Sequence, residues 1–181
     1  MNRRQMISAL GGAAAWPLVA HAQHANQIPR VAVLHSLAES DPEAQSWVKA
    51  FMQGFASLGW TDDFNVQIDV RWGGGEIKEI QRLARELIDL HPDVVFAVTT
   101  PSVIAIRQEN QTIPIVFTLV TDPVAQGLVE SLIRPGGNIT GFTIFEPEIG
   151  TKWMQVLKEI APETKRAAVI FNPDTAPYYK L

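Results

Sequence analysis

Three times in this sequence a short apolar run ends in Thr, Asn or Asp followed by proline. The phrases are Val95-Phe96-Ala97-Val98-Thr99-Thr100-Pro101, Phe117-Thr118-Leu119-Val120-Thr121-Asp122-Pro123 and Val169-Ile170-Phe171-Asn172-Pro173-Asp174. Side-chain oxygens of these residue types cap helix N-termini, and proline suits the first helical position, where its missing N–H would find no partner. Each phrase therefore predicts a buried strand passing directly into a helix. In a parallel α/β sheet all such junctions lie along one edge, at the carboxyl ends of the strands. Unpaired N–H groups and the positive ends of helix dipoles converge there. That edge suits a small polar ligand, above all an anionic one.

The rest of the chain alternates in the same way. Residues 31–34 form an apolar run and Ser40-Asp41-Pro42 a cap. Trp47, Val48, Phe51, Met52, Phe55 and Leu58 then fall on one helical face, which Gly59 closes. Val66, Ile68 and Val70 alternate with polar residues, as in a strand near a sheet edge. After a turn at Gly73-Gly74-Gly75, Ile77, Ile80, Leu83, Ala84, Leu87 and Ile88 define a second helix. A strand over 94–98, a helix over 101–110, a strand over 113–119, a helix over 123–132 and a strand over 139–143 complete the series. This is the pattern of a Rossmann-like, doubly wound parallel α/β sheet, with a flavodoxin-like strand order of 2-1-3-4-5 expected. Residues 30–144 read as one lobe.

Beyond Phe145 the cycle restarts with a helix over 147–160, a buried strand over 167–171 and the cap at Asn172. One helix and one strand bury no core by themselves. Residues 145–181 therefore read as a crossover and the incomplete start of a second, similar lobe.

Residues 1–22 stand apart. Arg3-Arg4 precedes a mildly apolar run from Ile7 to Ala20, and Ala20-His21-Ala22 has the form of an A-x-A cleavage site. This is the pattern of a secretory signal, followed by a polar connector over 23–29. The run is shorter than the ~20 residues that span a bilayer core, which argues against an anchoring helix. Arg3-Arg4-Gln5-Met6-Ile7 also resembles a twin-arginine leader, although arginine pairs occur in ordinary leaders too.

The net charge of −4 becomes −6 once the two leader arginines are set aside, which argues against a nucleic-acid partner. The absence of cysteine excludes disulfides, thiolate metal sites and a cysteine nucleophile. No G-x-S-x-G elbow, HExxH or close His/Asp/Glu cluster occurs, so no catalytic residue, metal or cofactor is expected. The triplet Gly73-Gly74-Gly75 lacks both the dinucleotide spacing and a following lysine, and reads as a turn.

An arginine-paired leader and the segments VAVLHS, HPDVVFAVTTPS, IPIVFTLVTDPV, RPGGNITGFT and AAVIFNPD follow one another along the chain. In this order they resemble the substrate-binding proteins of ABC importers with the type I periplasmic-binding fold. The likeness is to the subgroup with tryptophan- and tyrosine-type amino-acid binders. The resemblance implies two Rossmann-like lobes with ligand held between them, of which this chain matches the first and only the opening of the second, as if truncated. It also implies an exported, periplasmic, non-enzymatic and monomeric protein that delivers a small ligand to a membrane permease.

Family cleft positions fall here on Ser36, on Thr99, Thr100 and Ser102, on Thr121 and Asp122, and on Thr143 near the crossover. Thr100 and Ser102, with the N–H groups behind Pro101, are the expected carboxylate holders, and Asp122 the expected ammonium partner. Thr99, Thr100, Thr121 and Asp122 have helix capping as their plainer alternative, and His35 reads as a hydrogen-bonded loop histidine, with ligand contact as its alternative. Two other functions fit the same fold: a ligand-sensing module reporting to a membrane receptor, and a small flavodoxin-like enzyme.

Overall fold

The computed structural model describes residues 28–144, 149–168 and 170. The leader, most of the connector and the cap phrase at Asn172 lie outside the described residues. The most apolar runs become the inner strands of one sheet: β1 (Arg30–His35), β3 (Val94–Val98) and β4 (Ile115–Val120). The more polar strands β2 (Gln67–Trp72) and β5 (Ile139–Thr143) form its edges. The order is β2-β1-β3-β4-β5, as expected, and every pairing is parallel.

Helix α1 (Pro42–Ser57) follows β1, α2 (Ile77–Asp89) follows β2, α3 (Thr100–Glu109) follows β3, and α4 (Ile149–Ile160) lies beyond β5. Right-handed crossovers dictate their faces. The step from β1 to β2 runs one way and the steps to β3 and β4 run the other, so α1 sits on one face and α2 and α3 on the opposite one. Ile80, Leu83 and Leu87 of α2 and Val103 and Ile106 of α3 pack on Leu34, Val95, Ala97, Ile115 and Phe117 to form the main core. On the other face Phe51, Met52 and Phe55 of α1 lean on Val31, Val33, Val66 and Ile68. That layer is thin. Ala44 is the one fully buried residue of α1, Leu58 is exposed, and a groove of about 310 Å³ stays open beside Trp47, Phe51, Phe96 and Leu119.

Three expectations are overturned. The helix expected over 123–132 is a set of turns: Asp122 Oδ1 accepts only the Ala125 N–H, and Gly127 takes φ +63°. The N–H groups of Leu128 and Val129 both reach back to the Pro123 carbonyl. Leu128 and Val129 are both buried at the end of these turns. The strand expected over 167–171 is absent where it is described. Ala167, Ala168 and Ile170 are exposed and unpaired, with no neighbouring strand among the described residues to receive them; Val169 and Phe171 lie outside the described residues. Thr99 does not cap α3 with its side chain, for a reason that belongs to the site. Helix α4 forms, but Trp153, Met154, Leu157 and Ile160 are all exposed, so its apolar face buries nothing in the sheet.

Candidate functional site

The strand order reverses between β1 and β3, and in an open α/β sheet the crevice outside the carboxyl ends at that point is where ligands bind. Here the crevice is closed at its base by one contact. The hydroxyls of Ser36, just past β1, and Thr99, just past β3, share a 2.5 Å hydrogen bond. This contact diverts Thr99 from capping. Thr99 stands at the N-cap of α3 with φ +75° and ψ 160°, a region nearly closed to residues with a Cβ, at a cost of roughly 1–3 kcal/mol. Strain of that kind persists only where surrounding structure enforces it, and here it lies at the crevice.

Thr100 and Ser102 follow on α3, but both side chains are buried, and Ser102 Oγ has no hydrogen-bond partner. Thr100 and Pro101 border a small apolar cavity between α2 and α3, with Ile80 and Ile104. What this stretch offers the crevice is the backbone: the first-turn N–H groups of a helix have no acceptor within it. On the far side of β3, Leu119 takes φ +56° in a bulge that shifts the β4–β5 register between Phe117 and Val120. Bulges of this kind re-aim side chains at the rims of sites. Thr121 and Asp122 come next, half-buried, with Asp122 at φ +42° and the Gln126 amide donating to the Thr121 carbonyl. Thr143 closes β5 opposite Val120. All seven expected site residues therefore lie on the carboxyl edge. Ser36 and Thr99 are brought into contact, whereas Thr100 and Ser102 turn inward.

Behind Ser36 stands a residue that carries more structure than its position suggested. His35 is fully buried, its ring stacked 5.8 Å from Trp47 of α1 and lying tilted 5.0 Å from Trp72 of β2. Its Nδ1 accepts the Leu37 N–H at 3.0 Å, which places the ring proton on Nε2, and Nε2 has no partner. An unpaired buried donor costs about 1–3 kcal/mol. Burial lowers the imidazole from 6.5 to about 4, with Asp41 at the N-cap of α1 pulling weakly the other way. The glycine triplet wraps the same turn: Gly73, Gly74 and Gly75 donate N–H groups to the carbonyls of His35, Leu37 and Ser36. Gly73 is required there, because a Cβ would run into Ile80 and lie 3.3 Å from the His35 carbonyl. The signal in the sequence was present but faint: an apolar strand ending in histidine, paired in register with a tryptophan that precedes three glycines. Among the described residues no group of three His, Asp or Glu side chains is placed to hold a metal.

Comparison with known proteins decides the family. The family model described as ABC transporter substrate binding protein matches residues 30–180. The chain belongs to that family. A tyrosine-binding protein of Clostridioides difficile is 32% identical over 131 residues, which are 72% of this chain but 37% of that protein. Among solved structures, a conserved domain protein of Vibrio cholerae superposes with TM-score 0.74 at 30% identity, covering 85% of this chain and 51% of that one. An ABC domain from Streptococcus pneumoniae, solved in complex with L-Trp, superposes with TM-score 0.65 at 26% identity, covering 75% of this chain and 44% of that one. The ligand-free, open form of a Clostridium difficile substrate-binding protein with adhesive properties gives 0.63 at 29%, with 75% and 45% covered. The chain thus spans about half the length of these structures or less. Its sheet shares their fold, and its family is one of solute binders rather than enzymes.

Proposed function

We propose that this chain forms one wall of a ligand cleft in the extracytoplasmic binding component of an ABC importer, and that the ligand is amino-acid-like. In this reading residues 30–144 are the first lobe, residues 145–181 lead into the second, residues 1–22 direct export to the periplasm, and a membrane permease receives the ligand. The observation that carries it is the Ser36–Thr99 bridge at the strand-order reversal, beside the α3 N-terminus, with Asp122 past the end of β4 on the same edge. The helix N-terminus and the two hydroxyls match a carboxylate, and Asp122 matches an ammonium group. Charge-assisted hydrogen bonds of these kinds contribute about 1.5–3 kcal/mol each.

Relatives whose names carry tyrosine and L-Trp select the probes. Titration calorimetry of the wild-type chain with L-tyrosine and L-tryptophan is expected to show one site. Asp122→Asn and Ser36→Ala are each expected to weaken it about tenfold or more. Wild-type affinity in the double variant, measured on protein with native circular dichroism, would remove this edge as the ligand wall.

A further inference from the structure

We propose that His35 is a positioning residue for the ligand-facing turn: its neutral imidazole, through Nδ1, holds the Leu37 N–H and so aims Ser36 at Thr99. The role rests on the reading of that edge as a ligand wall, but the geometry stands without it. Residues 35–37 leave β1 and must turn sharply before α1 begins at Pro42. Three of the turn's polar groups, the carbonyls of His35, Ser36 and Leu37, are taken by the glycine triplet. The Leu37 N–H is taken by His35 Nδ1. Ser36, between them, is thereby fixed with its hydroxyl on Thr99.

The imidazole is an expensive way to fill its space. A phenylalanine would offer Trp47 and Trp72 an aromatic ring with no side-chain donor of its own, whereas Nε2–H is buried and unpaired. What histidine supplies and phenylalanine lacks is the Nδ1 lone pair. That lone pair exists only in the uncharged ring. Burial among two indoles favours the uncharged ring, and Asp41 is the charged group whose field opposes it.

Nitrogen-15 NMR of the wild-type chain at neutral pH is expected to show His35 as the Nε2–H tautomer with an unprotonated, hydrogen-bonded Nδ1. An Nδ1–H tautomer or an imidazolium would overturn the proposal without any variant. His35→Phe keeps the ring stack and removes the acceptor; His35→Asn keeps an acceptor on Cγ and removes the stack. Amide exchange at Leu37 is expected to rise about tenfold or more in His35→Phe and to stay within about threefold of wild type in His35→Asn. Melting temperatures are expected to run the other way, with His35→Phe near wild type, one unpaired N–H exchanged for another, and His35→Asn below it. Unchanged Leu37 exchange in His35→Phe overturns the proposal. In titrations with L-tryptophan and L-tyrosine, His35→Phe is expected to bind about tenfold more weakly. If no form binds either amino acid, wild type included, while Leu37 behaves as stated, the ligand assignment fails and the positioning role stands.

Discussion

His35 shows how one side chain sets a pH dependence. Folded, its imidazole loses its proton near pH 4; unfolded, near 6.5. Between those values the unfolded chain binds the extra proton, so stability is complete above 6.5 and declines as the pH falls toward 4. The loss over that window is at most about 3 kcal/mol. Urea melts at pH 7 and pH 4.5 are therefore expected to differ more in wild type than in His35→Phe, and equal differences would contradict the assignment. Thr99 makes the complementary point. A threonine at φ +75° is a local cost, and its hydroxyl is bonded across the crevice to Ser36 instead of capping its own helix.

At the scale of elements, α1 is the helix with a side-chain cap, whereas α2 and α3 form without one. Asp41 accepts the N–H groups of both Glu43 and Ala44, each at 2.9 Å, and α1 runs on for 16 residues. Asp122 accepts one N–H, and its segment ends in turns at Gly127. Replacing Asp41 by alanine is expected to cost about 1 kcal/mol, read by chemical denaturation, with helix loss confined to the α1 N-terminus in amide exchange. Beyond those turns Leu128 and Val129 both enter the main core.

At the scale of the whole molecule, the two faces of the sheet are unequal. Phe117 is fully buried under α2 and α3, whereas Phe142 on β5 is 73% exposed. Phe117→Ala is expected to cost about 3–5 kcal/mol and Phe142→Ser less than about 0.5 kcal/mol, measured by denaturant midpoints. A similar cost at both positions would mean that the β5 face is covered in solution.

Local chemistry settled much of this molecule before any contact was known. Unbroken apolar runs made β1, β3 and β4 inner strands, helical spacing marked α2, and the β–α alternation, with right-handed crossovers, implied the order 2-1-3-4-5. It also placed seven candidate residues on the carboxyl edge. Tertiary packing decided which of them meet. Thr99 reaches Ser36 only because β1 and β3 lie side by side, 63 residues apart in the chain, and Thr100 and Ser102 turn inward because α3 packs on α2. The helix expected over 123–132 gives way to turns, with Gly127 at φ +63° and the Leu128 and Val129 N–H groups both on the Pro123 carbonyl. The chain's own pattern determines most elements, because periodicity is local. Only the fold determines a site, because its hydrogen bonds join residues that the sequence keeps apart.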